Sequence, residues 1–131
     1  MTVRILGVDD HPVVRRGLTT LLGGRPEWMV IGEAQDGIEA VDKANSLKPD
    51  VIVLDVSMPR LDGLEACRRI RKSVPESEVL IVTQHDSPQM MREALTAGAR
   101  GYVVKANASR DLQAAMEAVS QHKPFTSPNN G

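Results

Sequence analysis

The sequence predicts an α/β fold: a doubly wound, five-stranded parallel sheet in the order 2-1-3-4-5, with five helices packed on its two faces. Three observations carry that prediction. Five short apolar runs rich in β-branched residues alternate with five stretches of helical period, and a regular β-α alternation implies parallel pairing through right-handed crossovers. The run Val51-Ile52-Val53-Leu54 shows no polar alternation and is bounded by Pro49-Asp50 and Met58-Pro59, so it reads as a strand covered on both faces. Carboxylates end two of the runs, Asp9 and Asp10 after the first and Asp55 after the third. The predicted order makes those two strands neighbours at the switch point, the edge where open α/β sheets bind their ligands.

The elements follow in order. The first strand, Val3-Arg4-Ile5-Leu6-Gly7-Val8, hands over to Asp10-His11-Pro12, where Pro12 suits the first position of a helix because its missing N–H would be unpaired there anyway. Asp10 or His11 precedes that helix. It carries Val13, Val14, Leu18, Leu21 and Leu22 at helical spacing, turns Arg15 and Arg16 away, and stops at Gly23-Gly24. A weaker second strand covers 28–34 and Asp36-Gly37 is a turn. Ile38, Ala40, Val41, Ala44 and Leu47 then mark a short helix that Lys48-Pro49 terminates.

After the central strand, Leu61-Asp62-Gly63 leads into a helix over 64–73, with Leu64, Cys67 and Ile70 inward and Arg68, Arg69, Arg71 and Lys72 in solvent. Beside Glu65, these four cations read as a solvated face rather than a nucleic-acid patch. The fourth strand is 78–83. Asp86-Ser87-Pro88 starts a helix through Met90, Met91, Ala94 and Leu95, where methionine serves as adaptable core or contact filling. The fifth strand, Gly101-Tyr102-Val103-Val104, ends at Lys105, and Ser109 caps a last helix through Leu112, Ala115, Met116 and Val119. The tail from His122 has loop composition and no period. The expected organisation is therefore one domain over 1–122 and the start of a linker over 123–131.

Composition excludes several functions. With 16 basic and 17 acidic residues and a net charge of −1, nothing favours a polyanion or an anionic membrane as a general partner. The single Cys67 rules out an internal disulfide and fits a reducing, cytoplasmic setting. No apolar run approaches the ~20 residues of a membrane helix. Trp28, Tyr102 and Phe125 are the only aromatics, too few for a flavin clamp or a base-stacking platform.

The predicted sheet edge collects Asp9, Asp10, Asp55, the Thr83 hydroxyl and the Lys105 ammonium. Three carboxylates in one crevice repel one another unless a cation sits among them, and hard oxygen ligands suit Mg²⁺. A nucleophile, a divalent ion, an ammonium and a hydroxyl are what phosphoryl transfer to a carboxylate requires. His11, beside Pro12 at a helix start, reads as a cap residue rather than a phosphohistidine or metal ligand.

These residues resemble a known family. The Asp9-Asp10 pair, Asp55 with Met58-Pro59, Thr83 and Lys105 fall at the spacing of the bacterial two-component response-regulator receiver domain, a CheY-like, flavodoxin-like fold, over nearly the whole chain. The stretches Val8-Asp9-Asp10-His11-Pro12-Val13-Val14-Arg15-Arg16-Gly17-Leu18 and Gly101-Tyr102-Val103-Val104-Lys105 are similar to the NarL/FixJ (LuxR-type) subfamily, whose receivers precede a helix-turn-helix DNA-binding domain absent here. The resemblance implies that Asp55 accepts a phosphoryl group from a sensor histidine kinase. It also implies that Asp9, Asp10, Asp55 and the backbone carbonyl of Ser57 hold Mg²⁺, and that Lys105 pairs with Asp55 and then with the phosphoryl group. Thr83 would hydrogen-bond a phosphoryl oxygen, Tyr102 would serve as the switch aromatic, and phosphorylation would favour a homodimer.

Two positions depart from the wider pattern. Ala106 follows Lys105 where many receivers have a cis proline, which leaves the local backbone open, and Gln84 beside Thr83 occupies a site that is often small. Two rivals remain. A haloacid-dehalogenase-like phosphatase would need a second Asp two positions after its nucleophile, and here that position is Ser57. A receiver-like interaction module would never be phosphorylated. No Gly-rich phosphate loop supports nucleotide binding.

Overall fold

Strand and helix faces sort the apolar residues into two layers. In the computed structural model, which describes residues 2–56 and 62–126, the central strand β3 (Val51–Leu54) is buried along its length. Its alternate residues point to opposite faces, as period-two geometry dictates. Ile52 and Leu54 join Leu6, Val8 and Ile81 in one cluster, and Val51 and Val53 join Ile5, Leu80, Val82 and Val103 in the other.

The flanking strands are β1 (Val3–Val8), β2 (Trp28–Ala34), β4 (Glu78–Thr83) and β5 (Gly101–Val104). Helices α1 (Pro12–Leu22) and α5 (Ala108–Ser120) cover the second cluster through Leu18, Leu22, Leu112, Met116 and Val119. Helices α2 (Gly37–Leu47), α3 (Gly63–Ser73) and α4 (Pro88–Thr96) cover the first through Ala40, Ala44, Cys67, Ile70 and Ala94. All strand pairs are parallel, and β1 lies between β2 and β3, so the predicted 2-1-3-4-5 order is present.

Among the described residues the sheet has six strands rather than five. Phe125–Thr126 forms a short β6 paired with Gly101 and Tyr102 at the edge of β5, where linker had been expected. Phe125 packs against the α1/α5 cluster and its N–H donates to the Arg100 carbonyl at 3.2 Å. A two-residue edge strand held by main-chain bonds leaves no periodic signal in sequence.

Other differences are local. Asp36, expected in a turn, is the N-cap of α2 and accepts from the Glu39 N–H, while Lys48 ends that helix in the left-handed region at φ 47°. The cap of α5 is Asn107 rather than Ser109, because a 3-10 turn over Lys105–Asn107 precedes the helix. No peptide bond among the described residues is cis, so Lys105–Ala106 is trans and the chain leaves β5 through that turn. Arg71 is not simply solvated: its guanidinium turns back to buried Glu78 at 3.0 Å.

Candidate functional site

The C-terminal ends of β1, β3, β4 and β5 lie side by side. Val8 is in register with Leu54, Leu54 with Ile81, and Thr83 with Val104, so the next residues along each strand meet in one crevice. Asp55 follows β3, and its N–H donates to the Val8 carbonyl at 3.1 Å. The Asp9 N–H donates to the Ala34 carbonyl at the same distance. Both carboxylates are buried, Asp9 completely and Asp55 at 3 % exposure, while Asp10 is half-buried.

Lys105 reaches into this pair from the 3-10 turn. Its Nζ lies 2.8 Å from Asp9 Oδ2 and 3.4 Å from Asp55 Oδ2, so it bridges two acids, with Asp9 the nearer. Burial pulls the ammonium down, but the hydrogen bond to Asp9 and the charges of Asp55 and Asp9 outweigh it and hold Lys105 above the ordinary lysine range.

His11 occupies the N-cap position of α1, but its side chain caps nothing. Its ring turns back over the acids, with Nδ1 3.2 Å from Asp9 Oδ1 and 2.9 Å from Asp10 Oδ1. One donor atom each from Asp9, Asp10, His11 and Asp55 falls within 4.8 Å of the others. Asp9 Oδ2 and Asp10 Oδ1 are buried, with the Lys105 ammonium and the His11 ring as their near contacts at 2.8 and 2.9 Å. Carboxylate oxygens so placed fit a hard divalent cation such as Mg²⁺. Ser57, the expected carbonyl ligand, lies outside the described residues.

Thr83 and Tyr102 share one partner. The buried Thr83 hydroxyl accepts from the His85 N–H at 3.3 Å, and the Tyr102 hydroxyl donates to the His85 carbonyl. Tyr102 faces inward at 2 % exposure, and burial, with a smaller contribution from Asp86, pushes its hydroxyl up to about 12. The backbone of one residue, His85, thus ties the strand-end hydroxyl to the aromatic. Gln84 is exposed beside them.

Sequence reasoning missed several supports. Arg15, expected to face solvent, donates from Nη1 to the Asp9 carbonyl at 2.7 Å and pairs with Glu33 at 3.0 Å, which fixes the backbone of the acidic pair. Gly63 sits against the β3 exit: a Cβ there would lie 2.2 Å from the Asp55 carbonyl oxygen, and its N–H donates to the Val56 carbonyl at 2.9 Å. The Asp62-Gly63 dipeptide was the available signal, since Asp62 caps α3 and only glycine fits next to the buried strand end.

The acids, the ammonium and the tethered hydroxyl form a pocket able to hold a divalent ion against a carboxylate nucleophile. The chain is also similar to known proteins. Residues 5–117 match the model of the response regulator receiver domain. The chain is 44 % identical over 117 residues to the DNA-binding transcriptional activator DevR/DosR of Mycobacterium tuberculosis, covering 89 % of this chain and 54 % of that protein. It is 36 % identical over 128 residues to the response regulator VraR of Staphylococcus aureus, covering 98 % of this chain and 61 % of that one. A LuxR-family two-component response regulator from Aurantimonas superposes with a TM-score of 0.94 at 38 % identity, covering 98 % and 91 % of the two chains. The chain therefore spans between half and two thirds of the length of the curated relatives it matches.

Proposed function

Since the chain belongs to the response-regulator receiver family, and within it to the NarL/FixJ (LuxR-type) branch, we propose that it is a phosphoacceptor switch in which Asp55 is the phosphorylated residue. Receivers of this family are switches rather than enzymes; this one assists its own phosphorylation and dephosphorylation. The observation that carries the reading is the convergence of buried Asp9 and Asp55 with half-buried Asp10 around the Lys105 ammonium. The donor is the phosphohistidine of a sensor histidine kinase. Asp9, Asp10 and Asp55, with the Ser57 carbonyl expected from outside the described residues, would hold Mg²⁺, which would supply positive charge to the phosphoryl oxygens.

The chain's own groups do the rest. Asp55 supplies the attacking oxygen, and Lys105 exchanges its contact with that carboxylate for one with a phosphoryl oxygen. The phosphoryl group carries a charge of roughly −1.5 to −2 where the carboxylate carried −1, and its oxygens draw the Thr83 hydroxyl inward. The hydroxyl then gives up its bond from the His85 N–H, and the loop that also anchors Tyr102 repacks. The result is a population shift on the surface of α4, β5 and α5, or of α1 and α5, that favours a homodimer.

The family match favours this switch over a phosphatase or a module that is never modified. Because DevR/DosR is a DNA-binding transcriptional activator, we place the chain in a cytoplasmic transcriptional regulator whose DNA contact belongs to an output domain beyond residues 123–131. No helix among the described residues is long and apolar enough to cross a membrane.

Intact-mass analysis after incubation with acetyl phosphate and Mg²⁺ tests the proposal. A gain of about 80 Da is expected in the wild-type chain and not in Asp55→Asn. Unchanged mass, or the same gain in both, would overturn it. Exposed Gln84 beside Thr83 is expected to slow access of water, so Gln84→Ala should shorten the acyl-phosphate lifetime; an unchanged lifetime would refute that role.

A further inference from the structure

Among the described residues that could ligate an ion here, His11 offers nitrogen where Asp9, Asp10 and Asp55 offer oxygen. It sits at the N-cap of α1 in extended geometry, φ −99° and ψ 111°, yet its side chain forms no capping bond. Its backbone N–H donates to Asp9 Oδ1 at 2.9 Å, which locks the residue against the acidic pair. The ring then folds the same way, with Nδ1 within 3.2 Å of both Asp9 and Asp10. The side chain is 64 % exposed, so the ring can rotate to direct a nitrogen lone pair into the pocket without disturbing the core.

The four donor atoms, all within 4.8 Å of one another, are close to the spread of one coordination sphere. Ligands on opposite sides of an ion with bonds of ~2.1 Å stand roughly 4.2 Å apart, so shifts of a few tenths of an ångström suffice. The buried Asp9 Oδ2 and Asp10 Oδ1 have only the Lys105 ammonium at 2.8 Å and the His11 ring at 2.9 Å beside them, contacts that an ion seated among the four donors would replace.

We propose that His11 is a fourth metal donor that tunes this pocket toward the first-row divalent ions Co²⁺, Ni²⁺ and Zn²⁺ over Mg²⁺. The inference rests on the reading of the pocket as a metal site. Mg²⁺ prefers oxygen and retained water and gains little from an imidazole. Ions later in the first-row series bind imidazole nitrogen strongly. His11 therefore separates the two classes where Asp9, Asp10 and Asp55 alone serve both.

Isothermal titration of the intact chain and of His11→Ala with MgCl₂, CoCl₂ and NiCl₂ tests this. Loss of the imidazole should weaken Co²⁺ and Ni²⁺ by about tenfold or more, since removing even an outer-shell partner costs that much. Mg²⁺ affinity should move by less than about twofold, as expected for an ion held by oxygens. If the variant does not fold by circular dichroism, the imidazole resonances of the wild type decide. Co²⁺ should shift and broaden those of His11 more than those of His85, which lies near the same crevice, and far more than those of His122. Equal losses for all three ions, no loss for Co²⁺ and Ni²⁺, or unperturbed His11 resonances would overturn the inference. A wild-type chain that binds no divalent ion at all would instead overturn the pocket reading beneath it.

Discussion

Replacing Lys105 with methionine keeps the length of the side chain and removes its charge, which isolates its role as counter-ion. Its Nζ lies 2.8 Å from Asp9 Oδ2 and 3.4 Å from Asp55 Oδ2. At an effective dielectric of ~20 those separations correspond to gross attractions of about 6 and about 5 kcal/mol. Most of that gross attraction is offset by the desolvation of three charges and by repulsion between the two acids. What the variant exposes is the cost of leaving buried carboxylates uncompensated, about 3–5 kcal/mol for a buried pair. Lys105 is 21 % exposed, which places the expected loss near 3 kcal/mol. Urea denaturation in EDTA at pH 7 should read that loss as a lower midpoint at constant slope. Saturating Mg²⁺ should restore more stability to the variant than to the wild type, because a divalent ion supplies the charge the ammonium provided. A loss below 1 kcal/mol in EDTA, or an equal gain from Mg²⁺ in both proteins, would refute Lys105 as the charge that makes the empty pocket tolerable.

Three further outcomes are expected. Glu78, 2 % exposed, holds Arg71 and Arg100 at 3.0 Å and His122 at 2.7 Å, so Glu78→Gln should cost about 2 kcal/mol in the same assay, discounted for the exposure of Arg100 and His122. Since Glu78 begins β4 and Thr83 ends it, the rate of phosphorylation by acetyl phosphate should be unchanged; a changed rate would tie the two ends of the sheet together. Gly63→Ala places a Cβ against the backbone of Asp55 and Val56, at 2.2 and 2.4 Å, and should cost about 3 kcal/mol or more and slow phosphorylation; a variant of wild-type stability would contradict that close approach. The hydroxyl of Tyr102, the only tyrosine, is pushed up to about 12, so the folded chain binds its proton more tightly than the unfolded chain does. That contribution is fully present below pH 10 and lost as pH rises toward 12; ultraviolet titration with a midpoint near 10 would place the ring in solvent.

The spans of the five main strands were readable because each apolar run meets glycine, proline or a charged residue at one end or both. The pocket was readable for a related reason. A polar residue directly after a buried strand lies at the sheet edge, and the switch-point order brings the edges of β1 and β3 together whatever the details of packing. What escaped the sequence is tertiary. Arg71, Glu78, Arg100 and His122 come from four separate segments, so no local pattern announces their cluster. Gly63 matters only because the chain folds it against Asp55. Whether Lys105 lies nearer Asp9 or Asp55 depends on the 3-10 turn that replaces a proline-led exit from β5. The ring of His11 follows its own backbone contact with Asp9, which a helix-start pattern cannot convey.

The central claim is that one strand-end carboxylate is esterified in a pocket that depends on a divalent ion. Borohydride reduction of the chain after acetyl phosphate treatment converts an aspartyl phosphate to homoserine, and peptide mass spectrometry then reports its position. The account predicts homoserine at position 55 with Mg²⁺ present and none in EDTA. Modification at Asp9, Asp10 or elsewhere, or at position 55 regardless of Mg²⁺, would contradict it.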